Sequence, residues 1–167
     1  MVNKLFFCFF ISFVLVACDS SSPKQSYTPQ VVTRDAIGYY CNMIVEDHSG
    51  PKGQIILTNK EKAIWFTSIR DAIAFSMLPD EPKNIASFFV TAMDEAEWEH
   101  PEAQVDNWIK AQSAWFVINS AQRGGMGQME AIPFKHKQSA NSFISKHGGE
   151  ILSYTEIPEN YILENTH

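Results

Sequence analysis

The sequence predicts an α+β fold, one domain made of two β-β-α-β units. Three observations predict it. Short apolar runs, many of them β-branched or aromatic, alternate with Gly/Pro-rich or polar turns, the mark of strands joined by hairpins. Two stretches of helical periodicity interrupt those runs. The pattern also occurs twice: Ala63-Ile64-Trp65-Phe66, followed by Ala72 and Phe75, returns 68 residues later as Ala131-Ile132-Pro133-Phe134, followed by Ala140 and Phe143. Such strands form antiparallel sheets with helices on one side.

In the first unit, Tyr40 to Glu46 reads as a strand and Ser49-Gly50-Pro51-Lys52-Gly53 as a turn. Gln54 to Leu57 and Ala63 to Phe66 read as the next strands, split by the polar turn Thr58 to Lys62. Ser68 can cap a helix, with Asp71 three residues on as its box-like partner. Ile69, Ala72, Ile73 and Met77 give that helix one apolar face, and Pro79 and Pro82 follow its end. Ile85 to Met93 reads as the strand that closes the unit. Asp94 to Gln112 yields no clear element, and within it Glu97-Trp98-Glu99-His100-Pro101-Glu102 reads as an irregular acidic connection.

The second unit begins with Ala114 to Ile118, a strand. Gln122 to Gln128 is a Gly-rich loop and Met129 to Phe134 a strand. A helix from about His136 to His147 stops at Gly148-Gly149, a good C-terminal signal. Glu150 to Thr155 is the last strand. The domain is thus expected over 36–158, with units at about 40–93 and 113–155 and a tail at 159–167.

The N-terminus has a different character. Lys4 precedes an almost unbroken apolar run, Leu5 to Val16. That run is shorter than the ~20 residues of a membrane span and suits the core of a signal peptide. It ends in Leu15-Val16-Ala17-Cys18, which resembles the lipobox of bacterial lipoproteins. The resemblance implies cleavage after residue 17 and a lipid on Cys18. It places the protein on the periplasmic side of the cell envelope. Asp19 favours the inner membrane, with the outer membrane as the alternative. Residues 18–35 are Ser/Pro-rich and read as a flexible tether.

The whole chain carries a net charge of −6, which becomes −7 when Lys4 leaves with the signal peptide. That balance argues against a nucleic-acid partner, which would call for a basic face. Of three cysteines, Cys8 leaves with the signal peptide and Cys18 takes the lipid. Cys41 remains alone in a compartment where cysteines usually pair. It is then a buried bystander or a thiol kept for a purpose.

Cys41-Asn42-Met43 is the central constellation. On a strand, residues i and i+2 share a face, so a thiolate and a thioether could approach one point. Two soft ligands suit Cu(I), whereas Zn(II) usually takes several Cys or His. Both residues are also common core fillers. Gly124-Gly125-Met126-Gly127 adds a methionine in a loop with little local packing, a natural place for a contact or ligand thioether. His48 is near Cys41 in sequence and a neutral imidazole binds copper well. An enzyme reading would make Cys41 a nucleophile and His48 its base. A third reading is a metal-free structural lipoprotein.

Cys41 to Ile55, the Gly124–Gly127 loop followed by Ile132-Pro133-Phe134, and His147-Gly148-Gly149 together resemble the NosL family of copper-chaperone lipoproteins. The resemblance implies a non-enzymatic Cu(I) carrier serving maturation of nitrous oxide reductase, in company with a membrane ABC-type transporter complex. It implies paired β-β-α-β units. It assigns copper to Cys41 and Met126, with Met43 and His48 as completing ligands. Some relatives hold a second cysteine at the place of Gly38, so a two-thiolate site within one chain is not open here.

Overall fold

The structure, a computed structural model, describes residues 26–164. The leader, Cys18 and Asp19 lie outside the described residues. No described helix is long and apolar enough to cross a membrane.

The α+β fold of two β-β-α-β units is the observed one. In the first unit β1 (Gly53–Leu57) pairs antiparallel with β2 (Ile64–Phe66) and, across helix α1 (Ile69–Met77), with β3 (Ile85–Thr91). A further strand, β4 (Trp108–Lys110), adds to β3, giving the order β2-β1-β3-β4. In the second unit β5 (Trp115–Ile118) pairs with β6 (Ile132–Phe134) and, across α2 (Lys137–His147), with β7 (Glu150–Ser153), in the order β6-β5-β7. Each unit therefore puts its first strand in the middle. The equivalence reaches single residues. Phe66 pairs with Gly53 and Phe134 pairs with Trp115, each at the first residue of a central strand.

The central strands lie in the core. All five residues of β1 are buried. Ile55 and Leu57 face one apolar cluster, with Phe75 of α1, Phe88 of β3 and Phe116 and Ile118 of β5. Ile56 faces another, with Phe89, Trp108 and Val45. Successive strand residues point to opposite faces, so the sheet is covered on both sides. Val117, Ile132, Phe134 and Ala140 of the second unit form a third cluster with Met93. Ala72 and Ala140, the repeat's helix alanines, are both fully buried.

The helix ends follow the local rules. Ser68 is the N-cap of α1 and its hydroxyl accepts from the Asp71 N–H. Gly148 closes α2 at a φ of 68°, its N–H donating to the Ile144 carbonyl.

Three expectations need correction. Tyr40 to Glu46 is not a strand. Asn42 sits at a φ of 56°, and the segment closes on itself: Gly38 N–H donates to the Met43 carbonyl at 2.8 Å and Asn42 N–H to the Gly38 carbonyl at 2.9 Å. Val45–Asp47 is a single 3-10 turn. The tether does not run free to residue 35. Val32 is buried, and Gln30 and Gln54 exchange hydrogen bonds. The tail at 159 does not follow a finished domain, because Glu159–Leu163 forms α3 and buries Ile162 in the main cluster. After the acidic connection, the stretch the sequence leaves unassigned supplies β4.

Candidate metal centre

Cys41 enters the site from a turn. Gly38 lies beneath it so closely that a Cβ there would meet the Cys41 sulfur at 2.5 Å. A bare backbone at 38 is what lets the thiol fold back. Cys41 is half-buried and free of any disulfide.

Met126 enters from the Gly-rich loop before β6. That loop is pressed onto the segment after Cys41: a Cβ on Gly125 would lie 2.2 Å from the Ser49 carbonyl oxygen. Met126 itself is exposed.

The two sulfurs meet at Thr67, between β2 and the α1 cap. Cys41 Sγ and Met126 Sδ each lie 3.4 Å from the Thr67 hydroxyl. Two such contacts through one oxygen hold the sulfurs within twice 3.4 Å of each other. Both residues line one cavity of about 210 Å³, together with Tyr40, Ser68, Asp71 and Glu130.

Met43 and His48 do not line this cavity. Met43 sits exposed beyond the closed turn, and half-buried His48 follows the 3-10 turn. The geometric reason for grouping Cys41 with Met43, a shared strand face, is gone with the strand. The sequence reading missed Thr67, Asp71 and Glu130. A lone threonine just after a strand carries no signal of contact with two distant sulfurs. Asp71 reads in the sequence only as a helix-capping partner.

Acidic groups floor the cavity. Glu130 is buried and accepts from the backbone N–H groups of Arg70 and Ala131 at 3.1 and 2.9 Å. Burial outweighs these bonds and pushes its carboxyl up to about 7. Burial also raises Asp71, against the pull of Arg70. Arg70 ties this floor to α3, its guanidinium donating to the Ile162 and Glu164 carbonyls at 3.1 and 3.0 Å. Nearby, fully buried Lys52 donates to the Gly50 carbonyl, and burial pushes its ammonium down to about 8. At the rim, Tyr39 and Tyr40 both donate to Glu81, at 3.1 and 2.7 Å.

A free thiol and an exposed thioether, gathered on one hydroxyl at a cavity mouth, offer soft donors to a soft cation. No group of three or more His, Cys, Asp or Glu that could hold a metal ion occurs among the described residues.

The NosL family model matches residues 29–162, nearly the whole described chain. The chain belongs to the NosL family. It is 37% identical over 152 residues to the copper-binding lipoprotein NosL of Achromobacter cycloclastes, covering 90% of this chain and 77% of that protein. It is 28% identical over 155 residues to the copper-binding lipoprotein NosL of Stutzerimonas stutzeri, covering 92% and 79%. Its structure matches the crystal structure of the copper chaperone NosL from Shewanella denitrificans with a TM-score of 0.71 at 30% identity. That match covers 82% of this chain and 98% of that one. The closed turn bearing Cys41 and the loop bearing Met126 thus lie on a NosL fold.

Proposed function

We propose that this protein is a copper chaperone that carries Cu(I) on Cys41 and Met126. The observation that carries the reading is the convergence of Cys41 Sγ and Met126 Sδ on the Thr67 hydroxyl, each at 3.4 Å, in one small cavity. Thiolate and thioether together favour a soft monovalent ion over hard divalent ones. Relatives named copper-binding lipoproteins and a structural neighbour named a copper chaperone support the same cargo.

A carrier must hold its ion and also give it up. Two sulfurs at an open cavity leave the ion room for a ligand from an acceptor. Met126 is exposed in a Gly-rich loop, so it is the ligand to open first, and Cys41 the last to leave. Met43 and His48 are completing ligands only after movement of the segment they share with Cys41. The Cys41–His48 enzyme couple gains no support, because His48 does not line the cavity with the thiol.

The further reading is that the carrier is lipid-anchored through Cys18 on the periplasmic side. It delivers copper for the copper centre of nitrous oxide reductase, with an ABC-type transporter complex as partner. The lipobox and the family resemblance support this. Anaerobic competition with a Cu(I) chelator tests the cargo. Cys41→Ser should abolish binding and Met126→Leu weaken it strongly. Wild-type affinity in Cys41→Ser would reject the site.

A further inference from the structure

Thr67 stands outside every motif in the sequence, yet both sulfurs touch it. Its hydroxyl has one proton to give. A thioether accepts and cannot donate. The 3.4 Å contact to Met126 therefore takes that proton, with the Thr67 hydroxyl donating to Sδ. The 3.4 Å contact to Cys41 must then run the other way, the thiol donating to the Thr67 oxygen. The three groups form a directed chain from thiol to hydroxyl to thioether.

The ends of this chain are loop-borne and its middle is fixed. Cys41 comes from a closed turn with Asn42 at positive φ, and Met126 from between glycines. Thr67 is 2% exposed. It follows β2 directly and precedes Ser68, the α1 N-cap. Its place is set by the strand pairing behind it and the helix ahead of it.

We infer that Thr67 is a positioning residue for the copper site: its hydroxyl gathers the Cys41 thiol and the Met126 thioether in the copper-free protein and aims both at one cavity. The inference rests on the copper reading above. Without the hydroxyl, both side chains would have to be ordered as the ion binds, and that entropy would be lost from the affinity. When Cu(I) binds, the Cys41 proton is released to solvent, the sulfurs turn to the metal, and the hydroxyl proton becomes free to donate to the thiolate.

The test uses the full-length protein in detergent, with its methionine ε-methyl groups labelled for NMR. In the copper-free wild type, the Thr67 hydroxyl proton should show a through-space contact to the Met126 methyl group. Thr67→Val should move that methyl resonance toward its random-coil position, and Thr67→Ser should leave it in place. By chelator competition, Thr67→Val should bind Cu(I) about five- to tenfold more weakly, the worth of roughly one hydrogen bond. Thr67→Ser should stay within twofold of wild type. Equal effects of the two substitutions, or no effect of Thr67→Val on shift or affinity, would overturn the inference. Failure of the copper reading shows separately, as unchanged Cu(I) binding in Cys41→Ser and Met126→Leu. The hydroxyl–methyl contact in the copper-free protein decides the Thr67 chain in either case.

Discussion

Gly125 and Ser49 are locked together: any Cβ at 125 would sit 2.2 Å from the Ser49 carbonyl oxygen and 2.9 Å from its nitrogen. Ser49 follows the segment that carries Cys41, and Gly125 precedes Met126. The contact therefore sets how the two sulfur-bearing loops sit against each other.

Gly125→Ala should force those loops apart, because backbone cannot yield as a side-chain tip can. Overpacking of this kind costs about 1–3 kcal/mol. Cu(I) affinity should fall with it. Urea denaturation and chelator competition on the same variant check both effects. An alanine variant with wild-type stability and affinity would show that the loops are free of each other.

The two buried titratable groups near the cavity, Glu130 and Lys52, give stability an unusual pH profile. Glu130 keeps its proton to about pH 7 when folded, whereas the unfolded carboxyl loses it near 4.5. Its protonation thus favours the folded state below pH 4.5, and that contribution is lost as pH rises to about 7. Lys52 titrates near 8 when folded against 10.5 unfolded. Its buried charge costs stability below pH 8, and the cost disappears as pH rises to about 10.5. Stability should pass through a minimum between about pH 7 and 8. For Glu130 the swing is up to about 3 kcal/mol, at 1.36 kcal/mol per pKa unit. Denaturation midpoints across pH 5 to 10 test this. Glu130→Gln should flatten the acid limb and Lys52→Met the alkaline one.

The C-terminal helix should be integral to the fold. Ending the chain at Pro158 removes Ile162 from the core and leaves the Arg70 guanidinium without the Ile162 and Glu164 carbonyls. Loss of one buried isoleucine costs about 1.5–3 kcal/mol, and an unpaired buried donor adds about 1–3. The truncated protein should unfold at clearly lower urea than the full chain. Equal midpoints would mean that α3 is an appendage.

The repeat was legible because it lies in hydrophobic periodicity: Phe66 and Phe134, Ala72 and Ala140 take the same places in their units. The Ser68 cap and the Gly148 stop were legible because they are local chemistry. The segment from Tyr40 to Glu46 was not. Its residues suit a strand, but Gly38 and Met43 close it into a turn. β4 is three residues long and gains its identity only from pairing with β3. Val32 and Ile162 sit in apolar runs of only two and three residues flanked by polar ones, too short to show a period, and only the finished core shows that it takes them in. At the site, residue type marked Cys41 and Met126 as soft donors. Their meeting on Thr67 spans 26 and 59 residues of chain, a relation that only the fold creates.

One Cu(I) ion held by Cys41 and Met126, as proposed above, makes distinct demands on four variants. Anaerobic chelator competition on the full-length protein, with Cys41→Ser, Met126→Leu, Met43→Leu and His48→Ala side by side, tests it most directly. Wild type should bind one Cu(I) per chain, Cys41→Ser none, and Met126→Leu only weakly. Smaller losses should follow in Met43→Leu and His48→Ala. Full binding by Cys41→Ser, or larger losses in Met43→Leu and His48→Ala than in Met126→Leu, would contradict it.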